Sequence, residues 1–160
     1  MKIKVKKSSE VKKPINEMRL VISSSSANES FARTAVSAFV AQLDPTIEEI
    51  ADIKTAVSEA VTNCIVHAYR NTIGQIYINV RVFSGGRVCI RIRDTGCGIE
   101  NIPQAMEPLF TTGGSERAGL GFAVMESFMD GLKVRSNLGK GTTVSMEKVI
   151  ARRIKYNVGA

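Results

Sequence analysis

The chain has 160 residues, 44% of them hydrophobic and 23% charged, with a formal net charge of +7. That length supports one domain with a real core. No apolar run approaches the roughly 18 residues of a membrane span, and the opening MKIKVKKSSEVKKP is basic but lacks the apolar stretch of a secretory signal.

Residues 1–14 read as a flexible basic arm, 15–150 as a single domain and 151–160 as a basic tail. Residues 1–13 carry a net +5 and residues 149–160 a net +3, which leaves −1 for 14–148. The basicity therefore belongs to the ends. With no helix-turn-helix signature and no aromatic-rich basic sheet, neither direct nucleic-acid binding nor a membrane partner is expected. INEMRLVIS (15–23) reads as a first strand. Asn28 or Ser30 can cap a helix running to about Leu43, with Phe31, Val36, Phe39, Val40 and Leu43 apolar. Asp44-Pro45-Thr46 ends it and caps the next, a single long helix from Ile47 to about Arg70. Two alternating strands follow. Ile76, Ile78, Val80 and Val82 share one face, as do Val88, Ile90 and Ile92, and Ser84-Gly85-Gly86 joins the two as a hairpin. Residues 100–118 hold Pro103, Pro108, Gly113 and Gly114 without a clean period and read as a long functional loop. Phe122–Met129 reads as a short helix, and Leu132–Ser136 and Thr142–Val149 as strands around NLGKG. The expected architecture is an α/β (α+β) two-layer sandwich, a mixed β-sheet covered on one face by helices. Cys64, Cys89 and Cys97 are odd in number and lack CxxC spacing, so a disulfide framework or zinc site is not expected, and reduced thiols fit a cytoplasmic protein.

Neither GxxxxGK[ST] nor a GxGxxG between strand and helix occurs, which excludes the P-loop and the dinucleotide fingerprint. Instead Gly96 and Gly98 follow a strand, and Gly119-Leu120-Gly121 opens a helix. A glycine-rich turn feeding a helix N-terminus offers unpaired N–H groups and a positive dipole end to a polyphosphate; equally, such glycines can simply cap a helix. In SEAVTNCIVHAYR, Glu59, Asn63 and His67 stand at i, i+4 and i+8 on one helical face. The Asn63 amide oxygen is a hard ligand suited to Mg²⁺, although a solvated polar stripe has the same spacing. Asp94, at a strand end beside glycine, can accept a hydrogen bond from an exocyclic amine such as adenine's, with Thr142 in support.

Taken together, these segments resemble the Bergerat-type ATP-binding family shared by gyrase and the ATPase domains of histidine kinases. SEAVTN looks like its N box, DTGCGI (94–99) its first glycine box, GLGF (119–122) the second and GKGTTV (139–144) the last. Within that family, residues 16–148 are similar to the anti-sigma F factors of spore-forming bacteria, which are serine kinases; ANESFAR, FVAQLDPT, KTAVSEAVTN, PLFTT and GFAVMESFMD carry the likeness. The basic arm lies outside the family pattern, and the lid TTGGSERAG (111–119) is shorter and richer in glycine than usual.

The resemblance implies a mechanism. Asp94 selects adenine with Thr142. Gly96, Gly98, Gly119, Leu120 and Gly121 bring backbone to the nucleotide. Asn63 holds Mg²⁺, and Thr111, Thr112 and Arg117 close over the phosphates. Glu59 accepts the proton of an incoming serine hydroxyl. It also implies two partners: a sporulation sigma factor of RNA polymerase, which is bound and inhibited, and an anti-anti-sigma protein, which is phosphorylated and inactivated. ATP or ADP biases the choice between them, a homodimer is expected, and Glu29 with Arg33 on the first helix is the expected docking surface, or else an ordinary surface ion pair. A nucleotide-gated sigma-binding module without kinase activity, and the ATPase domain of another kinase of this superfamily, are the alternatives.

Overall fold

Side chains that alternate in sequence alternate in space, so a strand with every second residue apolar must lay one face on a core. The computed structural model, which describes residues 12–108 and 120–151, places β1 at Asn16–Ser23, β2 at Gln75–Val82, β3 at Arg87–Asp94, β4 at Gly131–Asn137 and β5 at Gly141–Val149. They form one sheet of order β1-β2-β3-β5-β4. The inward faces are those anticipated: Ile76, Ile78, Val80 and Val82 on β2 and Val88, Ile90 and Ile92 on β3 are buried.

One layer of helices covers that face. Helix α1 spans Ala27–Val40 and continues as a 3₁₀ turn through Leu43. Helix α2 spans Ile47–Asn63 and continues as a π-helical turn, Cys64–Ala68; α3 is Ile102–Met106 and α4 Gly121–Phe128. Val36 and Val40 of α1, Ile53, Val57 and Val61 of α2 and Met125 of α4 are buried against the sheet. No helix among the described residues is long and apolar enough to cross a membrane.

The two-layer sandwich holds, but the sheet is not mixed. All four described ladders are antiparallel. The reason lies in the two helices between β1 and β2. A single crossover helix would return the chain for a parallel strand. Here α1 runs back along the sheet, α2 runs forward again, and β2 starts beside the residue where β1 ended, with Ser23 opposite Gln75. One consequence organises the molecule. The chain enters at Asn16 and leaves at Val149 at one end of the sheet, while Ser23, Asp94, Asn137 and Gly141 meet at the other.

Three local expectations change. Neither Asn28 nor Ser30 caps α1: its N-cap is Ser26, and Asn28 instead donates its amide to the Ser23 carbonyl at 2.9 Å. The long helix does not stay regular to Arg70, because the π turn interrupts it at Cys64. The stretch 100–118 is not all loop; Asn101 caps the short α3, accepting from Gln104 N at 3.1 Å.

Thr46 starts α2 with a full capping box. Its hydroxyl accepts from Glu49 N (3.0 Å), and the Glu49 carboxylate accepts from Thr46 N (2.8 Å). At the far side of the core, Lys148 occupies an inward position of β5. It pairs with Asp52 at 3.0 Å and donates to the Phe128 carbonyl that ends α4 at 2.7 Å. Because α2 spans the length of the core, losing its cap acts on the whole fold. Thr46→Ala is expected to cost about 1 kcal/mol, read in denaturant or thermal unfolding as a lowered midpoint with an unchanged m-value; an unchanged midpoint would contradict the role given to the cap.

Candidate functional site

Three strands end at the Asp94 edge with a polar residue where the alternation calls for an apolar one. Asp94 continues the inward series Val88, Ile90, Ile92 of β3, Ser136 continues Leu132 and Val134 of β4, and Thr142 precedes Val144 and Met146 on β5. They converge. Asp94 Oδ1 accepts from Gly96 N at 2.9 Å and from Thr142 N at 3.2 Å. Thr142 Oγ1 lies 2.8 Å from Ser136 Oγ, which also accepts from Ile99 N at 2.8 Å. Among the described residues Asp94 Oδ2 has one weak donor, the buried Cys64 thiol at 3.6 Å. Burial raises the Asp94 pKa above the ordinary aspartate value, against the opposing pull of the two backbone N–H groups. The same burial, with the neighbouring carboxylate, pushes the Cys64 thiol well up.

The glycines of DTGCGI are explained first by the protein's own backbone. A Cβ on Gly96 would stand 2.3 Å from the Ala68 carbonyl oxygen, and Cys97 N donates to that same oxygen at 3.1 Å. That carbonyl belongs to the π turn, closed by Tyr69 N donating to Cys64 O at 3.1 Å. Gly98 has φ of +74°, and a Cβ there would meet the Asn137 carbonyl at 2.3 Å. The corner is pinned further by Tyr69, whose hydroxyl donates to Gln75 O (2.7 Å) and accepts from Thr95 N (2.8 Å).

A cavity of about 1150 Å³ opens over this corner, lined by Asn63, His67, Asp94, Gly98, Phe122 and Thr142 among others. It exceeds the usual ~300–1,000 Å³ of small-ligand sites and so admits a nucleotide. Asn63 and Glu59 are half-buried beside the start of α4 rather than on a solvated stripe: a Cβ on Gly121 would lie 3.1 Å from Glu59 Oε2 and 3.3 Å from Asn63 Oδ1. Leu120 is the N-cap of α4, and among the described residues no side chain caps it, so the helix presents N–H groups at this edge that no described side chain claims. Among the described residues there is no group of three His, Cys, Asp or Glu able to hold a metal. A Mg²⁺ here would rest on the Asn63 amide oxygen, phosphates and water, which is the coordination that ion favours.

The structure thus brings together Glu59, Asn63, Asp94, Gly96, Gly98, Leu120, Gly121 and Thr142. Thr111, Thr112, Arg117 and Gly119 lie outside the described residues. Glu29 and Arg33 face each other on α1 at 3.7 Å, at the same end of the sheet as the cavity. Cys64, Tyr69 and Ser136 were not anticipated. Ser136 carried a signal, a polar residue in an inward phase; Cys64 reads in the sequence as a reduced thiol, and the tertiary role of Tyr69 had no signal.

The raised Asp94 pKa has a sign that can be tested. A carboxyl whose folded pKa lies above its unfolded one contributes most to stability while protonated, and that contribution is lost as pH rises through the folded pKa. Asp94→Asn keeps the Oδ1 acceptor without the charge. The ligand-free variant is therefore expected to gain stability relative to wild type from acid to neutral pH, then level off, in denaturant unfolding run across that range. A flat difference would contradict the burial penalty.

The histidine kinase-like ATPase domain profile matches residues 22–148. An anti-sigma F factor of Thermoanaerobacter sp. (strain X514) is 62% identical over 136 residues, 84% of this chain and 94% of that protein. An anti-sigma F factor of Caldanaerobacter subterraneus subsp. tengcongensis is 61% identical over 138 residues, 86% of this chain and 96% of that protein. At the level of fold, the crystal structure of the RsbU and RsbW domains of a Mycobacterium tuberculosis protein superimposes with a TM-score of 0.64 at 19% identity, over 87% of this chain and 33% of that one. With a buried carboxylate, an asparagine and an open helix N-terminus around one nucleotide-sized cavity, and with relatives this similar over most of its length, the chain belongs to the histidine kinase-like ATPase family, among the anti-sigma F factors.

Proposed function

We propose that this chain is an anti-sigma factor that binds a sporulation sigma factor and uses Mg-ATP to phosphorylate a serine on its anti-anti-sigma antagonist. The observation that carries the proposal is the Asp94 carboxylate. Oδ1 is fixed by two backbone donors while Oδ2, among the described residues, has only a thiol, so lone-pair capacity is left toward the cavity for an exocyclic amine. The likeness to anti-sigma F factors supports the sigma-factor part of this reading, and the placement of Glu59 and Asn63 supports the kinase part.

Glu59 lies one turn before Asn63 on α2 and beside Gly121, and no protein group among the described residues bonds its carboxylate. In the proposed reaction it takes the proton of the serine hydroxyl. The serine oxygen bonds to the γ-phosphorus as the bond from that phosphorus to the β-bridging oxygen breaks, and ADP leaves. The N–H groups at the start of α4 and, in this reading, Gly96, Gly98 and Gly119 hold the nucleotide's backbone-facing side. Thr111, Thr112 and Arg117 close over the phosphates. Mg²⁺, when bound, neutralises and orients phosphate oxygens, and Asn63 is the residue that would hold it. Phosphoryl transfer needs positioning and charge stabilisation more than covalent chemistry, so this equipment suffices. Docking through Glu29 and Arg33 would put a partner at the cavity end of the sheet. The protein is taken to act in the cytoplasm as a homodimer.

Three measurements test this. Glu59→Ala is expected to lower phosphoserine formation on a candidate antagonist by about 10²–10⁴-fold, the usual worth of a general base, while binding of labelled ATP persists. If wild type binds ATP and transfers nothing, the chain is instead a nucleotide-gated sigma-binding module. Asp94→Asn, although folded, puts an amide N–H donor against the adenine amino donor, and is expected to weaken ATP binding by at least about tenfold; affinity equal to wild type would remove the adenine role. Arg33→Glu is expected to abolish partner capture in pull-down while leaving ATP affinity unchanged.

A further inference from the structure

The near-neutral sum of residues 14–148 hides a separation of charge. On the sheet face away from the helices, the ladders place side chains in rows. One row runs Arg19, Asn79, Arg91, Ser145, Lys133 across β1, β2, β3, β5 and β4, and the next runs Val21, Tyr77, Arg93, Thr143, Arg135. Neither row contains an acid. Arg91, Arg93, Lys133 and Arg135 are exposed, and among the described residues none of the four makes an ion pair; Arg93 lies over the Tyr77 ring at 5.2 Å. They stand at the corners of a rectangle centred on β5, about 10 Å across the strands and about 7 Å along them, with the Ser145 and Thr143 hydroxyls between.

The acids that share this face are already engaged elsewhere. Glu17 accepts from Asn79 and Arg81 and pairs with Arg19, and these bonds hold its pKa down to about 2. Glu147 pairs with Arg87 at 3.1 Å, in the row beyond. Asp94 ends β3 but faces inward, and the other described acids lie on the helices and their connections, Glu29, Glu48, Glu49, Asp52, Glu126 and Asp130 among them. The described fold begins at Lys12 and ends at Ala151 at the end of the sheet where β1 begins and β5 finishes, and the sequence on either side of it is rich in lysine and arginine.

We propose that the open sheet face docks the phosphate backbone of a nucleic acid. Three of the four corner groups are arginines, whose planar fork pairs two donors with one phosphate. The hydroxyls between them are the neutral donors that phosphate contacts also use. Flanking basic arms add sequence-independent attraction. A second copy of this chain would set like charges against each other, which disfavours self-association through this face. The inference stands apart from the kinase reading, since it uses no residue of the cavity.

The test is fluorescence anisotropy of labelled short single-stranded and duplex DNA against the full chain over a series of salt concentrations, without nucleotide. Wild type is expected to bind with log affinity falling linearly in log salt. The exposed variant Arg91→Gln/Lys133→Gln/Arg135→Gln is expected to keep the wild-type unfolding midpoint. Its salt slope on duplex should be shallower by about 0.9 for each of the three contacts removed. A second variant, Lys2→Gln/Lys4→Gln/Lys6→Gln/Lys7→Gln, is expected to weaken binding without removing the share that the face contributes. No binding at low salt overturns the proposal. So does an unchanged slope in the face variant, which would assign all binding to the arms. Poly-glutamate displacing DNA at equal charge concentration also overturns it, in favour of an acidic polypeptide.

Discussion

A carboxylate at the edge of an apolar core is unfavourable unless its lone pairs are used, and the site is built around meeting that condition at Asp94. The alternation of β3 drives residue 94 inward whatever its chemistry. The chain then has to supply donors from both flanks: Gly96 from the turn that follows, and Thr142 from the start of β5. Each donor requires its own close approach. Gly96 can reach back only because it has no side chain to strike the Ala68 carbonyl, and that carbonyl is positioned by the π turn. The irregular end of α2, the glycine corner and the first residues of β5 are therefore parts of one arrangement. What remains of the carboxylate's bonding capacity is turned toward the cavity.

That arrangement sets ligand affinity against stability. Burial holds the pKa of Asp94 above the ordinary aspartate value, because the two N–H groups and the thiol only partly offset it, and this makes the ligand-free fold less stable than it could be. A bound amine would complete the set. Functional sites often hold such unmet bonding capacity, and the cost is borne by the regular core around them. Here that core is ordinary: β-branched strands under two long helices, with a complete capping box at Thr46.

Much of this was legible in the residues because it depends on local periodicity. The inward faces of β2 and β3, the Thr46 cap and the glycine pairs follow from alternation, capping chemistry and turn chemistry. The strand directions did not, because they depend on how many helices intervene between paired strands and how these pack, and the sequence gives only the order. The π turn was also invisible: Cys64–Ala68 continues the helical pattern, and only the tertiary demand of the Cys97 amide for the Ala68 carbonyl distinguishes it. Net charge says nothing of where the charges lie. A sum over residues 14–148 cannot register that arginines occupy outward strand positions while most acids sit on helices. Ser136 could have been found, since it breaks the same alternation that makes Asp94 conspicuous.

The antiparallel return of α1 and α2 has one more effect. It sends both ends of the described fold out at the edge of the sheet farthest from Asp94. Whatever is joined to the chain there is separated from the cavity by the full length of the strands, roughly 25 Å for eight residues. Appended segments can thus vary in length, sequence and charge under few steric demands from the chemistry, and a tether attached there can be long or short without shadowing the mouth through which a ligand comes and goes. In this topology, one end of the sheet is constrained by the cavity and the opposite end is free to diversify.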